Sequence, residues 1–149
     1  MIVTPGPRPL AELAAALARS HGVSADGVSA DGDTSAGSVL AALTAGDASP
    51  LASQADGGLA DGRRLVVVVD QFEELFTLCD DTVERARFVD VVIDAVTEPG
   101  SVTTFVLALR GDFYAHCAAV PALAAVLESH HVLLGAMGDE ELRRVIEEP

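Results

Sequence analysis

Lysine is absent from this chain. All nine basic residues are arginine, set against 23 acids, for a formal net charge of -14 over 149 residues. Without lysine there is no Schiff-base chemistry, and no phosphate-binding loop of the G-x-x-x-x-G-K-[ST] kind, which needs that side chain. The acidic balance argues against nucleic acid or anionic membrane as partners held by bulk charge. Tryptophan is also absent, and five phenylalanines and one tyrosine are all the aromatics present. The core must therefore be mostly aliphatic. Cysteine is scarce: Cys79 and Cys117 are far apart and form no C-x-x-C pair, so the thiols read as reduced packing residues. The histidines His21, His116, His130 and His131 show no zinc-ligand spacing. No apolar run approaches the ~20 residues that span a bilayer. The N-terminal stretch has no basic segment followed by an apolar one, so it is not read as a signal peptide. A cytoplasmic protein, or a piece of one, is expected, with no membrane contact.

The chain divides into three stretches. Residues 1–20 read as a helix preceding the core, with Leu10, Leu13 and Leu17 on one face and Ile2 and Val3 as a short strand ahead of it. Residues 21–64 read as a low-complexity Gly/Ser/Asp loop region, with the pentad VSADG in tandem at 23–32 and one short helix at Ser38–Ala45. Asp47–Arg64 is read as loop. Residues 65–149 carry the pattern. LVVVVD at Leu65–Asp70 is a continuous β-branched run, which predicts a strand buried on both faces. Thr82–Thr97 is an amphipathic helix, with Thr82 as its expected cap and Val83, Ala86, Val89, Ile93 and Val96 as its inner face. Ser101–Leu109 is a second strand, Asp112–Ala119 and Pro121–Ser129 are short helices, His131–Leu134 is a third strand, and Gly138–Glu148 is a final helix. Strands alternating with helices predict an α/β fold with a parallel sheet, its ligand edge at the carboxyl ends of the strands.

Two residues at that edge draw the chemistry. Asp70 ends a wholly apolar strand, and a carboxylate there suits a hard cation such as Mg2+. Glu73 and Glu74 follow within one turn, where one of them could polarise an attacking water. Arg110 ends the next strand, and its planar fork matches phosphate oxygens. The plainer reading is that the acids cap a helix and that Arg110 makes a salt bridge to Asp70, Glu73 or Asp112.

The segments LVVVVDQFEELFTLCDD, VLALRGDFYAHCAAVPALAAVLE and HVLLGAMGDEELRRVIEEP resemble the novel STAND NTPases of bacteria. The resemblance covers about Arg63 to Pro149, and more weakly the start of the chain. These are signalling P-loop ATPases, common in actinomycetes and often followed by WD-type repeats. The resemblance implies a partial P-loop NTPase-like three-layer fold with a parallel sheet, truncated at the N-terminus. It makes Asp70 the Walker B acid that binds Mg2+, Glu73 and Glu74 the adjoining glutamates, and Arg110 a sensor arginine. It implies ATP and Mg2+ as cofactors, and WD-repeat or effector domains as partners in a full-length relative. The family's Walker A loop has no counterpart in this sequence. The glycines of Gly22–Gly37 do not replace it, because Asp26, Asp31 and Asp33 among them repel phosphate. The chain is therefore expected not to hydrolyse ATP alone. Two alternatives stand beside this reading. One is a non-catalytic interaction module that self-associates through an incomplete sheet. The weaker one is a metal-dependent hydrolase built from Asp70, Glu73, Glu74 and Asp112.

Overall fold

The computed structural model describes residues 1–20, 35–56 and 64–148. Three parallel strands form one sheet in the order β1-β2-β3: β1 is Ile2–Val3, β2 is Leu65–Val69 and β3 is Thr103–Leu107. Both pairings are parallel, with Val3 opposite Val69 and Val69 opposite Leu107. Parallel neighbours need crossovers, and helices supply them. Helices α1 (Pro9–Ser20), α2 (Ala36–Ala45) and α3 (Ser49–Asp56) lie between β1 and β2 in the chain. Helices α4 (Glu74–Thr77) and α5 (Thr82–Thr97) lie between β2 and β3. After β3 come a 3-10 turn at Gly111–Phe113 and helices α6 (Tyr114–Ala118), α7 (Pro121–Ser129) and α8 (Asp139–Glu147). The expected α/β class and parallel sheet are thus present. Among the described residues, no helix is long and apolar enough to cross a membrane.

The core lies on one side of the sheet. Val67 and Val69 of β2 are fully buried against Leu10, Leu13 and Leu17 of α1, Leu43 of α2, and Phe88, Val91 and Val92 of α5. Pro9 opens α1 with a fixed φ, and the leucines at i, i+3 and i+7 all turn inward as the pattern predicts. Helix α5 spans the predicted residues, but Asp81 rather than Thr82 caps it. The Asp81 carboxylate accepts the N–H groups of Val83 and Glu84 at 2.8 and 3.1 Å. The inner face is also rotated from the predicted stripe. Phe88, the bulkiest apolar side chain of the helix, takes the centre with Val91 and Val92, while Val83 is 73% exposed.

Three expectations fail. Ser49–Asp56, read as loop, is a helix: the Asp47 carboxylate accepts the Ser49 N–H at 2.8 Å, and Leu51 is fully buried. That N–H also holds the Asp47 carboxyl below its ordinary range. The β2 strand is not buried on both faces. Val67 and Val69 point into the core, while Val66 and its β3 counterpart Val106 are 45% and 48% exposed. Among the described residues helices cover only one face, so the run LVVVV alternates in burial though not in composition. His131–Leu134 is not a strand. No helix or strand forms between α7 and α8. His131 instead folds back on α7, its Nδ1 lying 2.8 Å from the Leu127 carbonyl and its ring edge-on to Tyr114. The tandem VSADG repeat and residues 57–63 lie outside the described residues.

Candidate functional site

Parallel pairing sends the carboxyl ends of β1, β2 and β3 to one rim. The ladder continues past the strand ends: Asp70 N–H donates to the Val3 carbonyl at 2.8 Å, and Ala108 N–H donates to Val69 at 2.8 Å. Asp70 therefore emerges from the middle strand between the ends of β1 and β3, with its side chain exposed. Arg110 leaves β3 at the same rim, three residues past Leu107.

The turn after Asp70 is tight. Gln71 has φ +51, the only non-glycine residue among those described with a left-handed backbone. Its N–H donates to the Asp70 Oδ1 at 3.0 Å and so engages one carboxylate oxygen. The reversal returns Phe72 to the core, where it is 1% exposed and its N–H meets the Ala108 carbonyl at 2.9 Å. From there the chain enters α4. Sequence alone carried no signal for this turn, since glutamine has no preference for left-handed φ.

Glu73 and Glu74 sit at the head of α4, both half-buried. The Glu73 Oε2 is shielded from solvent and has no hydrogen-bond partner. A carboxylate oxygen of this kind calls for a donor or a cation.

Arg110 grips Asp112. Its Nε and Nη2 donate to the two carboxylate oxygens of Asp112 at 3.1 and 2.7 Å, a two-pronged ion pair open to solvent. The hydrogen bond with Asp112 is the largest cause raising the Arg110 pKa above its ordinary value. The negative charge of Glu73 adds to it more weakly, so Glu73 and Arg110 face each other electrostatically. In return, Arg110 holds the Asp112 carboxyl below its usual range. Of the three salt-bridge partners considered from sequence, the bonded one is Asp112.

Asp70, Glu73 and Arg110 thus share one rim, with Glu74 one residue further along α4. Among the described residues no three His, Cys, Asp or Glu side chains cluster tightly enough to hold a metal ion. The four-acid hydrolase of Asp70, Glu73, Glu74 and Asp112 is overturned on that ground: Asp112 is turned to Arg110 rather than to the other acids. What remains fits a cation that arrives with its own oxygen ligands. Mg2+ takes one or two protein carboxylates and completes its shell with phosphate oxygens and water, and Asp70 offers one exposed carboxylate for that arrangement. A small cavity of about 210 Å³, lined by Ala48, Ala95, Glu98, Ser101 and Thr103, lies at the opposite end of β3, away from this rim.

The cysteines are packing residues, as expected. Cys79 and Cys117 are 1% and 2% exposed. Burial pushes both thiols up, Cys117 to about 11, away from the thiolate form a nucleophile needs.

No curated protein and no solved structure matches the chain. One family does: its model, described as novel STAND NTPase 1, matches residues 1–149, which takes in both the Arg63–Pro149 stretch and the start of the chain where the resemblance is weaker. The chain belongs to the novel STAND NTPase 1 family.

Proposed function

We propose that this chain forms the Walker B and sensor part of a STAND-type ATPase switch, and that it does not hydrolyse ATP by itself. Asp70 would be the Walker B acid that holds Mg2+. Glu73 or Glu74 would orient the attacking water, and Arg110 would read the terminal phosphate. Asp70 would hold that ion, whose chemistry, when bound, would be to offset the charge of the polyphosphate. The observation that carries this reading is the rim itself. An exposed carboxylate and a phosphate-matching guanidinium leave adjacent parallel strands on the same side. Arg110 resting on Asp112 is consistent with a group that exchanges one anion for another, since a solvent-open ion pair holds its arginine only weakly. The unpartnered Glu73 oxygen supports a polar ligand at the same edge. In a full-length relative, WD-repeat or effector domains would report the nucleotide state, in the cytoplasm.

The sequence contains no lysine, hence no G-x-x-x-x-G-K-[ST] loop to cradle the phosphates. The chain should accordingly show no saturable thermal stabilisation by micromolar ATP with Mg2+; clear stabilisation would overturn the claim that it cannot act alone. The companion test joins the chain to the glycine-rich GK[ST] segment of a family member that has one. The extended protein should hydrolyse ATP, and Asp70→Asn should cut kcat by about a hundredfold or more, the scale of losing one preorganised electrostatic contact. Undiminished hydrolysis by that variant would remove Asp70 from the reaction.

A further inference from the structure

His116 stands on the arginine side of the rim. The 3-10 turn and α6 run on without a break from Gly111 to Ala118. Residues four apart on such a stretch are neighbours on one face, which sets His116 beside Asp112, the residue that Arg110 grips. The two side chains feel each other's charge. The hydrogen bond from Arg110 is the largest cause that holds the Asp112 carboxyl low, and His116 adds to it more weakly. The imidazole is also held in place. Its ring lies against Phe113 and Phe76, with centroids 5.1 and 5.6 Å away and tilts of 34° and 39°. Phe113 belongs to the turn after Arg110. Phe76 belongs to α4, which follows Glu73 and begins at Glu74, and it stands edge-on to the buried Phe72. Aromatic rings within about 6 Å attract a cation, so this setting keeps the imidazole whether it is neutral or charged.

We infer that Asp112 is shared between two cations: Arg110 holds it as seen here, and His116, once protonated, takes it over when Arg110 turns to a phosphate. The handover rests on reading Arg110 as the group that meets the terminal phosphate; the charge coupling beneath it does not. Arg110 engages both oxygens of Asp112, so the guanidinium cannot turn to a second anion without releasing a carboxylate. His116, four residues on, is placed to receive that carboxylate, and histidine is the side chain that gains a proton from solvent near physiological pH. It is a positioning residue, acting on the ligand only through Asp112 and Arg110. Linkage makes the effect reciprocal. Phosphate binding takes up a proton at His116, and acidification through the imidazole's titration loosens Arg110 from Asp112 and so favours phosphate. Other ionisable groups lie on the elements around the ring: Glu73 and Glu74 by α4, Arg85 of α5 against Phe76, Glu128 of α7 and His131 beyond it. Tyr114 and Cys117 share its helix, and Cys117 is pushed up to about 11. All of these stay the same when Arg110 or Asp112 is substituted, so comparison between such variants isolates the sharing.

The test follows the ring-proton NMR signal of His116 against pH in the 149-residue chain, assigned by its loss in His116→Gln. Wild type, Arg110→Ala, Asp112→Asn and the double variant form a cycle. Both substituted side chains are exposed, so the fold should persist, with far-UV circular dichroism as the check. Arg110→Ala frees Asp112 and should raise the His116 midpoint by about 0.2–0.7 pH units, the scale of an exposed ion pair. In the Asp112→Asn background the same change should raise it by less than half as much. An equal rise in both backgrounds would mean that Arg110 repels His116 directly, and no rise, or a fall, would mean that His116 does not answer to Asp112; either overturns the sharing. In the protein extended by a GK[ST] segment, ATP with Mg2+ should also raise the midpoint, and less so in Asp112→Asn. An unchanged midpoint with ATP bound would overturn the handover and leave the nucleotide reading standing. Undiminished hydrolysis by Asp70→Asn would do the opposite, removing that reading's central residue and leaving the cycle as it is.

Discussion

Gln71 offers the sharpest test of how the candidate site is shaped. Its φ of +51 is a conformation that L side chains adopt at a cost of roughly 1–2 kcal/mol and glycine adopts freely. Its side chain is exposed, so substitution forfeits no packing. The clean comparison is Gln71→Gly against Gln71→Ala. At an ordinary helix or strand position, alanine is favoured by about 0.5–1 kcal/mol, because glycine has more backbone freedom to lose. Here the left-handed penalty falls on alanine alone. It exceeds that entropy difference, and glycine should be favoured by about 0.5–1 kcal/mol. For a domain of this size that is a gap of about 1–4 °C in Tm, readable by calorimetry with urea midpoints as a check. Both variants keep the backbone N–H that donates to Asp70, so the test isolates backbone strain from the hydrogen bond. Alanine equal to or more stable than glycine would refute the left-handed turn, and with it the account of how Asp70 is turned outward while Phe72 returns to the core.

Three further substitutions probe other parts of the argument. Asp81→Ala should cost about 1 kcal/mol by urea denaturation, as the loss of an N-cap that accepts two N–H groups, whereas Thr82→Ala should cost only a few tenths; the reverse order would restore Thr82 as the cap. Leu51→Ala should cost about 2 kcal/mol or more, since its side chain is fully buried, and a loss below about 0.5 kcal/mol would mean residues 47–56 behave as the loop their composition suggests. Cys117 gives a pH signature. Its folded pKa is raised to about 11 by burial, so the protonated thiol is favoured in the folded state. That contribution is fully present below the ordinary value of 9.0 and is lost as pH rises towards 11, on the order of 2 kcal/mol. Alkaline unfolding of the wild type should be steeper than that of Cys117→Ala across this window; parallel curves would count against a buried, neutral thiol.

The elements legible in the sequence were those whose pattern and packing agree. Leucines at helical spacing behind Pro9 gave α1, and the run from Thr82 to Thr97 ending at Glu98-Pro99-Gly100 gave α5 with its bounds correct. Misreadings came where a neighbour decided the outcome. Val66 and Val68 look like core residues in the string, but nothing described here covers their side of the sheet. His131–Leu134 has the composition of a strand, yet a strand exists only if an edge pairs with it. Helix α3 hides in a Ser/Ala/Asp stretch because its visible anchors are few, one buried leucine and one aspartate that accepts the Ser49 N–H. At the rim, the positions of Asp70 and Arg110 followed from strand ends. The Gln71 turn did not, because it depends on a backbone conformation that no residue type there announces.

Topology, more than any single side chain, makes the rim. Asp70 and Arg110 are forty positions apart in the chain. Had β2 and β3 paired head to tail, Arg110 would emerge at the far end of a five-residue strand, roughly 17 Å from Asp70 at 3.3–3.4 Å per residue. The crossover through α5 prevents this, returning the chain to the starting end of the sheet before β3 begins. Burial of Phe88, Val91 and Val92 against Val67 and Val69 is therefore what places a cation-seeking carboxylate and an anion-seeking guanidinium on one edge. A change that loosens α5 should disturb the relation between these two charges before it alters either residue's own surroundings.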